Sequence, residues 1–250
     1  MSNQVQVIIL AAGQGKRMEN KKLPKVLIPL NGKPIISHLL EAVKESGVCD
    51  KPLIVVGQRA AEVKSALGSN YLYVFQEKQL GTGHAVASTQ KVLNKKAENI
   101  MVLYGDHPFI NAQTIRNLAQ THFRSNKVLT MATVKVDNFD DWRNSFWGFG
   151  RIIRDSSGKV CGIIEHKDAT KKQFAIKEVN PAYFCFKADW LWENLWQLKK
   201  DNIQDEYYLT DLVGMACQQG HEIATIEIEP KEALGINTVE QLELVSKLAK

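Results

Sequence analysis

Two glycines set two apart, Gly13 and Gly15, follow the apolar run 5–10 and are followed in turn by Lys16, Arg17 and Lys25. A run rich in β-branched residues that breaks into small residues reads as a buried strand ending in a turn. Glycine lets backbone N–H groups approach anionic oxygens with no Cβ in the way, and long cationic side chains close over the same oxygens. The stretch Leu10-Ala11-Ala12-Gly13-Gln14-Gly15 therefore has the make-up of a phosphate-binding loop. A ligand-free turn has the same two glycines, so the pair alone does not decide; the neighbouring cations favour an anion.

In open parallel sheets ligands sit beyond the carboxyl ends of the strands, so the residues that directly follow each strand carry the next chemistry. These are Gln76 after 71–75, Asp106 after 100–104, and Asn237 after Gly235-Ile236. The Asp106 carboxylate and the Asn237 amide are hard oxygen donors suited to Mg²⁺, with phosphate oxygens completing the octahedron. Asp106 also stands between Gly105 and Pro108, where an ordinary turn former would. Gln76 offers a donor and an acceptor side by side, the complement of a uracil edge. Gly81-Thr82-Gly83 is a second small-residue turn, with Thr82 as an alternative helix cap. Trp190, Trp192 and Trp196 fall on a predicted helix and read as packing residues. His84, His107 and His166 have no partner at a metal or triad spacing and read as structural.

The elements that must position these residues alternate. Strands over 53–56, 71–75 and 100–104 are separated by helical spacing begun by Pro34 and ended by Gly47, then over 60–67 and 84–92, with Asn111 capping a helix over 112–123. Such alternation predicts an α/β fold with a mostly parallel sheet covered on both faces. From residue 128 the pattern becomes β-rich. Strands over 128–136, 183–186 and 223–228 and a hairpin of 149–153 with 160–164 surround a polar, Trp-containing insertion at 137–147. Helices are expected over 190–198, 209–217 and 238–248. No linker or repeat separates the halves, so a single domain is expected, with about 128–250 folded over the sheet of about 1–127.

Hydrophobic content of 44% and charged content of 24% are ordinary for a globular chain of 250 residues. The net charge of +5 is local: residues 1–60 hold nine Lys/Arg against four Asp/Glu, and the remainder balances at 23 against 23. A basic stripe with interleaved aromatics or a reading helix, the marks of a nucleic-acid binder, is not evident, and a small polyanion near the N-terminus fits better. Cys49, Cys161, Cys185 and Cys217 form no C-x-x-C, which suggests reduced thiols in a cytoplasmic protein. The run 5–10 is too short to span a membrane and has no basic region before it. No feature bears on oligomeric state.

Taken together, the motifs resemble the sugar-1-phosphate nucleotidyltransferase family. The opening Leu10 to Met18 with Pro24-Lys25 looks like its signature. Gln76, Gln79-Leu80-Gly81-Thr82-Gly83-His84-Ala85, Tyr104-Gly105-Asp106, Gly148-Phe149-Gly150-Arg151-Ile152, Glu165-His166-Lys167-Asp168, Glu206-Tyr207-Tyr208-Leu209-Thr210-Asp211 and Gly235-Ile236-Asn237 resemble, within it, the uridylyltransferase half of bifunctional N-acetylglucosamine-1-phosphate uridylyltransferases. The resemblance implies a Rossmann-like nucleotide-diphospho-sugar transferase fold, and UTP, a hexosamine 1-phosphate and Mg²⁺ as partners. It implies Arg17 and Lys25 as catalytic residues. Leu10, Ala11, Ala12, Gly13, Gly15, Gln76, Gly81 and Thr82 would hold the nucleotide, and Tyr104, Gly105, Gly150, Glu165 and Asn180 the sugar. Asp106 and Asn237 would hold the metal.

The chain departs from that family in four places. Six residues separate Arg17 from Pro24, one more than is usual, and the family's serine there has no obvious counterpart. The insertion at 137–147 is longer than the common turn. Pro181-Ala182 stand after Asn180, where a small hydroxyl residue and glycine are common, which leaves glucose or N-acetylgalactosamine 1-phosphate, or dTTP, as alternatives. No hexapeptide-repeat β-helix follows, so acetyltransferase activity is not expected. Two other classes compete. An NAD-dependent oxidoreductase would want a third glycine where Met18 stands. A nucleotide-binding regulator without catalysis would have no use for Lys25, Asp106 and Asn237 together.

Overall fold

In a computed structural model of the chain, which describes residues 5–18, 22–93 and 97–249, the opening run is a strand, β1 (Val5–Ala11). Its side chains alternate between two buried faces: Val7 and Ile9 enter one core and Ile8 the other. A small two-stranded unit, β2 (Pro29–Leu30) with β3 (Lys33–Pro34), leads into α1 (Ile35–Ser46). Pro34 supplies the fixed φ at the start of α1, and Gly47, at φ 65, ends it in the left-handed conformation that glycine adopts at little cost. Then follow β4 (Leu53–Val56), α2 (Ala60–Leu67), β5 (Leu72–Phe75), α3 (Thr82–Ala87), α4 (Gln90–Leu93) and β6 (Asn99–Tyr104). Next comes α5 (Ala112–Ser125), whose first turn is capped by Asn111, its Oδ1 accepting from the Thr114 N–H at 2.9 Å.

The second half contributes β7 (Leu129–Lys135), the hairpin β8 (Arg151–Arg154) and β9 (Val160–Ile164), β10 (Glu178–Val179), β11 (Phe184–Lys187), α6 (Ala188–Leu195), α7 (Asp211–Gln218), β12 (Ala224–Glu227) and α8 (Val239–Leu248). Among the described residues the strands join in the order β5-β4-β1-β6-β11-β7, with β12 beside β7 and β10-β8-β9 continuing from its far end. All pairings from β5 to β6 are parallel, as is β7 with β12; β11 alone runs antiparallel between β6 and β7. One face is covered by α1, α5 and α8 through Leu39, Leu118 and Val245, and the other by α3, α6 and α7 through Val86, Leu191 and Leu212. The fold is the mostly parallel α/β sheet covered on both faces that the alternation predicts. No described helix is long and apolar enough to cross a membrane.

Three local expectations are corrected. The helix expected over 84–92 breaks into α3 and α4, because the Ser88 and Thr89 hydroxyls donate back to the Ala85 and Val86 carbonyls at 2.6 and 2.7 Å. Trp190 and Trp192 are buried, but Trp196 lies beyond α6, 69% exposed, its indole N–H on Gln90 Oε1. The insertion at 137–147 is apolar at heart. Phe146 is buried, and Phe139 and Trp147 flank the Arg151 guanidinium at 4.8 and 5.5 Å, while that guanidinium donates to the Trp147 and Phe149 carbonyls.

Helix α5 is tied to the sheet by a buried histidine. His122 Nε2 donates to Asn99 Oδ1 at 3.2 Å, and its Nδ1 accepts from the Thr130 hydroxyl at 2.9 Å. Burial, with Lys187 adding to it, pushes the His122 pKa down to about 4. The folded pKa lies below the unfolded value, so the unfolded chain takes up the proton first; stability from this group is present above the unfolded pKa of about 6.5 and is lost as pH falls toward 4. Denaturant unfolding should show His122 contributing a loss of about 2 kcal/mol between pH of about 7.5 and about 5. His122→Gln should flatten that slope by a comparable amount, and equal slopes would refute the assignment.

Candidate functional site

A cleft of about 800 Å³ opens at the carboxyl ends of β1, β5 and β6, and most of the expected residues line it. Leu10, Ala11, Ala12, Gly13, Gly15, Arg17 and Lys25 form one wall, Gln76, Gly81 and Thr82 another, and Tyr104, Asp106 and Asn237 the floor between them. Gly15 has φ +62, and a Cβ there would lie 2.8 Å from Lys25 Cβ. Glycine at this position thus permits both the turn and the seating of Lys25 against the loop. Lys25 opens a short turn anchored by the buried Val26 and Leu27, so its stem is fixed while its ammonium reaches the floor.

There the ammonium meets two oxygens. Lys25 Nζ donates to Asp106 Oδ2 at 2.5 Å and to Asn237 Oδ1 at 3.0 Å, with the Lys25 and Asp106 side chains about one-tenth exposed. The loops that carry them are stitched together, since Gly105 N–H donates to the Leu10 carbonyl and Ile236 N–H to the Asp106 carbonyl. Burial would raise the Asp106 pKa, but the Lys25 charge, then His107, and the Lys25 hydrogen bond bring it below the ordinary carboxylate value. His107 closes the back of the floor: Tyr183 donates to the Glu232 carbonyl at 2.8 Å and so accepts from His107 Nδ1–H at 2.9 Å. Two hard oxygens converging on one point suit a small divalent cation. No group of three His, Cys, Asp or Glu able to hold a metal occurs among the described residues, so such an ion would take its other ligands from water and a substrate.

The base-side wall differs from expectation in one respect. Gln76 is 3% exposed, and its Nε2 lies 3.3 Å from the Gly81 carbonyl and 3.0 Å from His84 Nδ1, so it faces the cleft as an acceptor rather than as a donor–acceptor pair. Nor does Thr82 cap its own helix; the N-cap is Gly81, and the Thr82 hydroxyl accepts from Leu209 N–H at 3.0 Å. That bond belongs to a strap, residues 205–209, laid over the turn: Tyr207 N–H donates to the Leu80 carbonyl and Gly83 N–H to the Tyr207 carbonyl, both at 2.8 Å. Gly81, at φ +107, would place a Cβ 2.6 Å from the Tyr207 oxygen. Glu206 on the strap, and Gln79, which donates to the Ala12 carbonyl, also line the cleft. Neither is among the expected site residues, although the glycine pair at 81 and 83 is the signal of a close backbone approach.

Gly150, Glu165 and Asn180 form a separate cluster beyond the cleft lining. Asn180 N–H donates to the Gly150 carbonyl at 2.9 Å, Thr210 donates to Glu165 Oε1 at 2.8 Å, and a Cβ on Gly150 would stand 3.4 Å from that same oxygen. Burial first, then the Asp211 and Asp168 charges, raise the Glu165 pKa against the opposing Thr210 bond. Tyr104 links this cluster to the cleft: its hydroxyl bonds to Thr82 while burial and the Glu165 charge raise its pKa. Asn180 Oδ1 accepts from Ala182 N–H at 2.8 Å, so the acceptor end of its amide is taken by the turn that follows. Ala182 takes φ 66, a conformation glycine adopts more readily, which accounts physically for glycine being common there in the resembling family. Of the six residues between Arg17 and Pro24, among which the additional one is expected, 19–21 lie outside the described residues.

A sheet of this order, with a glycine loop and a carboxylate at adjacent strand ends and a lysine reaching between them, fits the nucleotidyl-transferring class expected from the motifs. Residues 7–202 match the MobA-like NTP transferase domain, and the chain belongs to that family. More particularly, it is 40% identical over 244 residues to the bifunctional protein GlmU of Acetivibrio thermocellus, covering 97% of this chain and 51% of that protein. It is 38% identical over 241 residues to the bifunctional protein GlmU of Brevibacillus brevis, covering 96% and 50%. The chain spans about half the length of the curated relatives it matches. In fold it is similar to UDP-glucose pyrophosphorylase complexed with UDP-glucose, with a TM-score of 0.77 at 18% identity over 98% of both chains.

A buried ion pair costs most when it is broken from one side. Lys25→Met should lower unfolding free energy by about 2–4 kcal/mol by leaving Asp106 unpaired. A double-mutant cycle with Asp106→Leu should show coupling of about 1–3 kcal/mol, and effects that add to within about 0.5 kcal/mol would contradict the contact.

Proposed function

We propose that the chain transfers a uridylyl group from UTP to N-acetylglucosamine 1-phosphate, giving UDP-N-acetylglucosamine and pyrophosphate, with Mg²⁺ as cofactor. The observation that carries this reading is the convergence of Lys25, Asp106 and Asn237 beside the glycine loop. The motifs shared with the uridylyltransferase half of the resembling enzymes supply the identity of the substrates. On this reading residues 1–127 serve the nucleotide and 128–250 the sugar phosphate, within one domain. We place the reaction in the cytoplasm, where nucleoside triphosphates are available.

The nucleophile is an oxygen of the sugar phosphate. A phosphomonoester has a second pKa of about 6, so this oxygen is already charged at neutral pH and no protein base is needed. It attacks the α-phosphorus of UTP in line; one P–O bond forms as the bond to the β-phosphate breaks, and pyrophosphate leaves with the electron pair. What resists the reaction is repulsion between anions, so positioning and neutralisation are what the chain supplies. Arg17 and the backbone N–H groups of the glycine loop hold the leaving phosphates. Lys25 neutralises oxygens at the reacting phosphorus. Glu165 accepts from sugar hydroxyls, and Asn180 donates to the hexose or its 2-substituent. Asp106 and Asn237 would hold Mg²⁺, which supplies Lewis-acid neutralisation of phosphate charge.

The second reading is the same chemistry on glucose or N-acetylgalactosamine 1-phosphate, or with dTTP, and the Ala182 turn beside Asn180 keeps it in play. A grid of UTP, dTTP and ATP against these three sugar phosphates, read by pyrophosphate release, separates the two. UTP with N-acetylglucosamine 1-phosphate should give the highest kcat/KM. Preference for another pair would favour the second reading, and no turnover with any pair would refute both.

A further inference from the structure

The Gln76 side chain is held by groups whose hydrogen-bonding sense is fixed. One polar end of its amide lies 3.3 Å from the Gly81 carbonyl oxygen and 3.0 Å from His84 Nδ1, within a side chain almost wholly buried. A carbonyl oxygen only accepts, so the end that faces Gly81 must be the NH₂. Its second hydrogen then points at His84 Nδ1, which must carry a lone pair, and the proton of the neutral imidazole sits on Nε2. That N–H is the ring's one remaining donor. Burial, followed by the nearby Lys200 charge, lowers the His84 pKa, which keeps the ring neutral at neutral pH. Both amide donors of Gln76 are consumed inside the protein, and only Oε1 remains for the cleft that Gln76 lines.

We infer that His84 is a specificity-determining residue: by fixing the sense of the Gln76 amide, it makes the base wall accept a ring N–H and refuse a bare ring nitrogen at the same place. Uracil and thymine carry that N–H at N3, whereas cytosine presents a lone pair there, so two acceptors would face one another. A buried polar group left facing its own kind costs far more than a missing methylene, which is why sites built this way discriminate strongly. His84 acts through Gln76 and touches no substrate; it is a positioning residue. The inference rests on the uridylyl reading and deepens it.

The test is the ratio of kcat/KM for UTP to that for CTP, each with N-acetylglucosamine 1-phosphate. Wild type should favour UTP by about 100-fold or more. His84→Phe keeps a ring but offers no acceptor, so the amide is free to turn and the ratio should fall by about tenfold or more. His84→Asn puts an amide oxygen where Nδ1 was and should restore the ratio to within about threefold of wild type, and the sugar-phosphate KM should not move in either variant. A wild type with no preference for UTP would sink the uridylyl reading and the inference with it. A wild type that prefers UTP together with a His84→Phe variant of unchanged ratio would sink the inference alone. In the wild-type protein, ¹⁵N NMR should show His84 with Nδ1 unprotonated and Nε2 protonated, and the opposite tautomer would overturn the proposal without recourse to variants.

Discussion

The site is organised around one electrostatic constraint: a nearly buried carboxylate, Asp106, has to be answered by positive charge. Lys25 answers it at 2.5 Å and at the same time takes Asn237 at 3.0 Å. A carboxylate in this position would be costly unpaired, so the pair holds three loops in register as much as it prepares chemistry. The sheet makes the meeting possible. Parallel pairing of β1 with β6 sets Leu10 opposite Tyr104, which brings the glycine loop and the Asp106 turn out of the same edge side by side. The third loop arrives with Ile236 bonded to the Asp106 carbonyl.

The same arrangement accounts for how little acid–base machinery the proposed reaction asks of the chain. Joining two phosphates requires anions to approach, and the cleft offers Arg17, Lys25, loop N–H groups and an oxygen pair fit for a divalent cation. Three histidines hold shape. His122 fastens a helix to the sheet, His107 backs the floor through Tyr183, and His84 orients Gln76. Each is held below the ordinary histidine pKa with burial as the first cause, which suits imidazoles that serve as neutral hydrogen-bonding parts.

Features written in local residue order were legible in the sequence. The strand-to-glycine turn at Gly13, the Pro34 start and Gly47 stop of α1, the Asn111 cap and the strand-end positions of Gln76 and Asp106 all follow from short-range preferences and the two periodicities. Asn237, expected after a strand, instead stands in the loop between the short turn Pro230–Ala233 and α8. What could not be read depends on partners far apart in the chain. Asp106 and Asn237 lie 81 and 212 residues from Lys25, so nothing nearby in the sequence announces that the lysine faces both. The strap over Gly81, the spent donors of Gln76 and the exposed Trp196 are likewise products of packing. Helix α4 was obscured for a different reason: Ser88 and Thr89 are compatible with a continuous helix by pattern and break it only through their own hydroxyl bonds.

The central claim is that Asp106, paired with Lys25, organises the charge that the proposed reaction requires on the floor of the cleft. Pyrophosphate release by Asp106→Asn, measured with UTP, N-acetylglucosamine 1-phosphate and Mg²⁺ on protein whose circular dichroism matches the wild type, tests it most directly. The account predicts a loss of turnover of about 10³-fold or more. Undiminished release from a folded Asp106→Asn protein would contradict it.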